Sequence, residues 1–263
     1  MIAVAEDAGL HDEVEGLLSR LIQADTSNPP GDVTAAARVP EQYFRNNGVE
    51  PTLIGELPEL PNCIARLASE GEGPSLLMLG HLDVVPAEAT DWAQPPFSGL
   101  VKDGYMWGRG ALDMKNQLAA PAVAFVHLAR RVDAGEKLRG DLVFAATADE
   151  ETGERCGAKW LRENSPDLVR TDFVISEGGM DMFEVGDRHL YTIHAGEKAT
   201  PPVASPPTGA PVTVPCRCTM TTRSTAWRTS SQPLSDTSPR CRRSAFRPPS
   251  SIGPSPTPAC VNA

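Results

Sequence analysis

The sequence predicts an α/β fold, a mixed sheet flanked by helices on both faces. Three observations predict it. Apolar, strand-like runs alternate with amphipathic helical stretches. Three of those runs end in His, Asp or Glu, where loops leave the carboxyl ends of sheet strands and ligands bind. A change of composition near residue 199 confines this pattern to residues 1–198.

In chain order, residues 8–23 read as an amphipathic helix with Leu10, Val14, Leu17, Leu18, Leu21 and Ile22 on one face. Thr26-Ser-Asn-Pro-Pro-Gly31 ends it in a turn. A second helix is expected over 33–46, then strands over 49–54, 62–67 and 75–79. A long polar and aromatic connection covers 88–105. The alanine-rich stretch 112–131 reads as a helix, kinked or shifted in its start by Pro121. A strongly apolar strand is expected over 141–148, a short helix over 157–164, and strands over 172–176 and 189–194.

Length and charge narrow the function. The 263 residues suffice for a sizeable core, and the formal net charge of −10 argues against nucleic acid as a partner. No apolar run approaches the ~20 residues of a membrane helix, so no membrane partner is expected. Glu6 and Asp7 stand where a signal peptide would be basic, which points to the cytoplasm. Cys63, Cys156, Cys216, Cys218, Cys241 and Cys260 lack zinc-ribbon spacing and read as reduced thiols.

Residues 199–263 are chemically different. They hold seven arginines, no lysine, one acid (Asp236) and 13 prolines, with a single leucine (Leu234) and a single isoleucine (Ile252). Taking that +6 from the total leaves −16 for residues 1–198. Such a tail cannot bury a core, so a non-globular segment is expected after an incomplete catalytic fold.

Four sites carry side chains suited to chemistry. His81 and Asp83 follow an apolar strand and, two residues apart, share a face in extended backbone. That suits a metal-binding imidazole oriented by a carboxylate. Asp113, in Gly108-Arg-Gly-Ala-Leu-Asp-Met-Lys115, starts a helix; alone it reads equally as a capping residue. The Gly-Lys-Ser/Thr ending of a phosphate loop is absent there, which excludes nucleotide binding by that motif. Asp149, Glu150 and Glu151 close the apolar strand; three adjacent acids repel unless a cation or water relieves them. Glu177 follows the next strand. One imidazole with several carboxylates is a donor set for divalent ions, which in hydrolases often come in pairs about 3.5–4 Å apart.

Gly80-His-Leu-Asp-Val-Val-Pro86, Trp107-Gly-Arg-Gly-Ala-Leu-Asp-Met-Lys115, Ala148-Asp-Glu-Glu-Thr-Gly153 and Ser176-Glu-Gly178 together resemble the M20 family of metallohydrolases. Asn28-Pro-Pro-Gly31 and Gly196-Glu-Lys198 resemble it more weakly, and Asn116 stands where the family usually has glycine. The resemblance implies a zinc-exopeptidase-like catalytic domain that hydrolyses amide bonds in N-acyl amino acids or small peptides. It implies two zinc ions, with cobalt or manganese as substitutes. Carried over, His81 and Glu177 bind one zinc, Asp113 bridges both and Glu151 binds the second. Glu150 becomes the general base and Asp83 the residue behind His81.

The resemblance also implies a far-downstream histidine, a lid domain with a Gly-His-Gly-Ser segment, and homodimerisation through that lid. No histidine follows His194, and the lid is absent as written. Re-parsing a coding sequence for 209–222 by one base, with allowed third bases, gives Gly-Ala-Gly-His-Gly-Ser-Met-Pro-Met-His-Asp-Asp-Asn. The single codon of Met220, followed by a threonine codon, forces one of those aspartates. A reading-frame displacement between about Lys198 and Gly209 is therefore expected, with impaired activity in the chain as written. The competing expectation is a non-catalytic metal-binding or regulatory remnant of the same fold.

Overall fold

Apolar residues recurring at helical spacing build one layer, and short β-rich runs build the sheet beneath it. The computed structural model describes residues 8–153, 155–178, 182–186 and 188–191. The chain divides into units 1–199 and 200–263, and every described residue lies in the first. The tail expected over 199–263 lies outside the described residues.

Helix α1 (Ala8–Gln23) buries Leu17, Leu18, Leu21 and Ile22. Helix α2 (Thr34–Asn46) buries Ala36, Ala37, Val39, Tyr43 and Phe44. Strands β1 (Thr52–Ile54), β2 (Asn62–Leu67) and β3 (Leu76–His81) follow. A hairpin of β4 (Leu100–Lys102) and β5 (Tyr105–Trp107) interrupts the long connection to α3 (Asn116–Asp133). Pro40 and Pro121 each remove a ladder donor inside α2 and α3, yet both helices continue because their apolar faces are buried. Strand β6 (Leu142–Thr147), helices α4 (Ala158–Asn164) and α5 (Pro166–Val169), and β7 (Phe173–Ile175) complete the sheet region. A separate hairpin pairs β8 (Met182–Val185) with β9 (Arg188–Tyr191).

The five-stranded sheet has the order β1-β2-β6-β3-β7. β1 and β6 run antiparallel to β2, whereas β6 and β7 run parallel to β3. The sheet is mixed, with helices on both faces. β6 sits centrally and shows why it reads as continuously apolar. Leu142, Phe144 and Ala146 face the large core under α1, α2 and α3; Val143 and Ala145 face a smaller cluster with Leu161, Trp160 and Leu168. Phe44 meets Phe125 and Phe144 edge-on, with ring centroids 5.3 and 5.0 Å apart.

β7 stands at the sheet edge with Phe173, Val174 and Ile175 exposed. Cys63 and Cys156 are free thiols; Cys216, Cys218, Cys241 and Cys260 lie outside the described residues. Among the described residues no helix is long and apolar enough to cross a membrane.

The sequence reading differs at element edges. α3 begins at Asn116 rather than 112, because Leu112–Lys115 forms turns in which Met114 and Lys115 are buried against other segments. The strand expected over 49–54 is limited to β1, and the one expected over 189–194 corresponds to β9, with 192–194 outside the described residues.

Candidate metal centre

Parallel pairing assembles the centre. Gly80 and His81 of β3 pair with Ala146 and Thr147 of β6, and Met78 pairs with Ile175 of β7. The carboxyl ends of these three strands therefore lie on one edge of the sheet. His81 is the last residue of β3; Asp149–Glu151 and Glu177 lie just past the ends of β6 and β7. Asp113 arrives from the turn before α3.

His81 is buried and its Nε2 is the hub. It lies 3.2 Å from Asp113 Oδ1, 3.6 Å from Glu177 Oε2 and 3.9 Å from Glu150 Oε2. The possible ligand atoms of His81, Asp113 and Glu151 lie within 4.8 Å of one another, and so do those of His81, Glu150 and Glu177. All the sequence-predicted ligands meet in one place.

Asp83 behaves differently from the simplest expectation. His81 Nδ1 lies 2.9 Å from the Asp83 backbone carbonyl and 3.6 Å from its carboxylate. The carbonyl accepts the Nδ1 proton and leaves Nε2 as the donor atom for a metal. The Asp83 carboxylate itself accepts N–H from Glu150 (3.1 Å), Glu151 (3.0 Å) and the Asn28 side chain (2.8 Å). Burial works against its charge, but His81 and these donors hold its carboxyl below the usual range.

The three consecutive acids separate into two roles. Asp149 is buried, has φ +61°, and accepts the hydroxyl of Thr152 and the backbone N–H of Arg155, closing the turn. Glu150 and Glu151 instead turn toward His81, each in a group of side chains that could hold a metal ion. The glycines before Asp113 have a steric reason. Gly110 has φ +81°, and a Cβ there would come within 2.8 Å of Val84 and 3.0 Å of Lys115.

The electrostatics fit a cation. Burial raises Glu151, and the charges of Asp113, Glu150 and Asp83 raise it further against the lowering by His81, to about 7. Burial and the neighbouring acids Asp113 and Glu150 likewise raise Glu177. Burial pulls His81 down, yet the hydrogen bond to Asp83 and the charges of Glu177, Asp83 and Glu150 push it up to about 10. Such crowding of carboxylates around one imidazole is relieved when a divalent ion supplies the missing positive charge.

Residues 77–249 match the sequence profile of Peptidase family M20/M25/M40. The chain belongs to the M20 peptidase family. Succinyl-diaminopimelate desuccinylase of Xanthobacter autotrophicus is 37% identical over 190 residues, covering 65% of this chain and 46% of that protein. The enzyme of the same name from a Bradyrhizobium species is 43% identical over 94 residues, 35% of this chain and 23% of its own. The chain thus spans less than half the length of these M20 relatives. Among solved structures, the M20 metallo-carboxypeptidase Sso-CP2 from Sulfolobus solfataricus superposes with TM-score 0.55 at 24% identity, over 64% of this chain and 37% of its own. The di-peptidase Dug1p from Saccharomyces cerevisiae superposes with TM-score 0.52 at 20% identity, over 66% and 41%. Both share the fold.

Sequence reasoning gave no role to Lys115 and did not connect Asn28 to the centre. Lys115 is fully buried, and its Nζ donates to the carbonyls of Leu21 and Ala24, both at 2.9 Å. Burial lowers its pKa to about 8, against the raising influence of Asp25 and Asp83. The usable signal was their place inside family-like motifs, Asn28-Pro-Pro-Gly31 and Trp107–Lys115; their burial comes from segments distant in sequence.

Proposed function

We propose that this chain carries the metal-binding part of a zinc-dependent hydrolase of amide bonds in N-acyl amino acids or small peptides. The observation that carries the reading is His81 Nε2 within 3.2–3.9 Å of carboxylate oxygens from three separate segments. His81 and Glu177 would hold one ion, Glu151 a second, and Asp113 would bridge them. Zinc is the first choice for an imidazole and carboxylate set, with cobalt or manganese as substitutes. A bound divalent ion would polarise the substrate carbonyl and acidify water. Glu150 would take a proton from the attacking water at its carboxylate and return it to the departing amine. Asp83 orients His81 through its carbonyl and holds the Glu150–Glu151 backbone through its carboxylate.

Small N-acyl amino acids or peptides are the proposed substrates, homodimerisation is proposed for the full-length form, and the cytoplasm is the proposed compartment. The names of the desuccinylase relatives agree with amide chemistry on an acylated amine.

A second reading has its own observation. No histidine follows His194, so the distal imidazole expected for the second ion is missing from the chain as written. On that reading the chain is a non-catalytic metal-binding or regulatory remnant of the same fold; on the hydrolase reading, the frame displacement proposed between about Lys198 and Gly209 would impair the chain as written. Metal analysis combined with a panel of N-acyl amino acids and dipeptides separates the readings. Two ions per chain with turnover supports the hydrolase; one weakly held ion without turnover supports the remnant; no metal uptake overturns both. Resequencing the gene tests the frame displacement directly.

A further inference from the structure

The ligand-bearing loops come from distant parts of the chain, yet one short segment touches three of them. Residues 24–28, between α1 and α2, turn alternate side chains inward, with Thr26 and Asn28 buried and Asp25 exposed. On the β3 loop, the Thr26 hydroxyl donates to the Leu82 carbonyl at 2.7 Å. Val84 N–H donates to the Thr26 carbonyl at 3.1 Å, and Asn28 N–H to the Val84 carbonyl at 2.8 Å. On the β6 loop, the Asn28 side-chain amide donates to Asp149 Oδ1 (3.3 Å) and Thr152 Oγ1 (3.2 Å) besides Asp83. On the Asp113 loop, Lys115 reaches the Ala24 carbonyl.

Resting on the metal-centre reading above, we propose that Asn28 is a positioning residue for the metal ligands. Its amide joins the His81–Asp83 loop to the Asp149–Glu151 turn and so sets the separation of His81 from Glu150 and Glu151. Three features favour this role over generic packing. The amide presents only hydrogen-bond donors toward two acids, Asp83 and Asp149, so an aspartate of the same shape cannot replace it. Its Oδ1 occupies space that a Cβ at residue 31 would enter, to within 2.7 Å, so the glycine at 31 is what leaves room for the amide in this orientation. Its nearest partner, Asp83, holds the Glu150 and Glu151 backbone, and none of its partners is a proposed ligand oxygen.

The test uses the full chain and two variants, Asn28→Asp and Asn28→Ala. Metal affinity is measured by titrating Zn²⁺ calorimetrically and Co²⁺ by its visible absorption, which reports ligand geometry. Amide hydrogen exchange of Glu150 and Glu151 is followed in metal-free protein. Loss of a residue that orients metal ligands typically weakens binding about 10- to 100-fold, and both variants should show that loss with an altered Co²⁺ spectrum. Asn28→Asp is the sharper variant: its added negative charge alone would tighten cation binding, whereas loss of positioning weakens it. The two amides should also exchange faster, while those of Val143 and Ala145 in β6 keep their protection. Unchanged exchange at both amides, or tighter binding by Asn28→Asp with an unaltered spectrum, overturns the proposal. A wild-type chain that takes up no metal sinks the metal-centre reading instead, and the exchange comparison then decides the role of Asn28 by itself.

Discussion

The carboxylate of Asp83 receives the backbone N–H groups of both Glu150 and Glu151, at 3.1 and 3.0 Å. One side chain from the β3 loop thereby fixes the turn that carries two other acids of the centre. Asp83→Asn leaves size unchanged but removes the charge and turns part of the acceptor into a donor facing Asn28. Metal affinity should fall about 10- to 100-fold, measured by calorimetric titration, with helical content retained.

Metal binding should stabilise the chain by mass action. At free ion about 100 times Kd, the linkage is ~2.7 kcal/mol, or roughly 5–11 °C in Tm for a domain of this size. Differential scanning fluorimetry with zinc, then with excess chelator, should show the rise and its reversal. His81→Ala should abolish the shift.

Asp141 gives the fold an acid-sensitive joint. Its carboxylate accepts the Ser69 N–H at 2.8 Å and pairs with Arg66 at 2.6 Å. The Ser69 N–H first, and Arg66 after it, lower its pKa below 3.8 against slight desolvation. A carboxylate with a depressed folded-state pKa contributes stability that is present above its unfolded value and lost as pH falls through the folded one. Denaturant titrations should therefore show this contribution fading below about pH 4. Asp141→Asn should remove that acid dependence and cost about 1 kcal/mol at pH 7.

Glycines near the centre should differ sharply in tolerance. A Cβ at Gly157 would lie 2.1 Å from the Ala148 carbonyl oxygen, which is backbone and cannot step aside. A Cβ at Gly80 would meet the movable ends of Leu118 and Met114, at 2.8 and 3.0 Å. Gly80→Ala should cost about 1–3 kcal/mol as overpacking. Gly157→Ala should cost more and lower soluble yield; urea midpoints rank the pair.

The exposed β7 edge should drive self-association. Phe173, Val174 and Ile175 are 62, 55 and 59% exposed on a strand with one side unpaired among the described residues. Val174→Lys should reduce light scattering at high concentration while leaving the far-ultraviolet circular dichroism unchanged.

How much was legible depended on the range of the interactions. The residues 8–23 were readable as a helix because their apolar spacing is local, and α1 spans Ala8–Gln23. β6 was readable for the same reason, being apolar on both faces. The start of α3 was not, since Met114 and Lys115 are buried by segments far away in sequence. β4, β5 and β8, strands of three or four residues, carry too few positions to show a period, whereas β9 overlaps the strand expected over 189–194. The side chains that cluster around His81 could be named from their motifs, but the segment that supports them could not. Asn28 reads locally as a turn former before two prolines, and its role appears only through partners 55, 121 and 124 residues away.

The strand order has a consequence for how the centre is born. β6 inserts between β2 and β3, although β2 and β3 are neighbours in the chain. Until β6 emerges during synthesis, β2 and β3 have no common partner, and His81 has none of the acids beyond residue 147 beside it. Closing such long loops is the slow, entropically costly part of folding. A nascent chain therefore has no assembled cluster early, and metal uptake at the proposed centre would belong to the last stage of sheet assembly, when β7 brings Glu177 alongside.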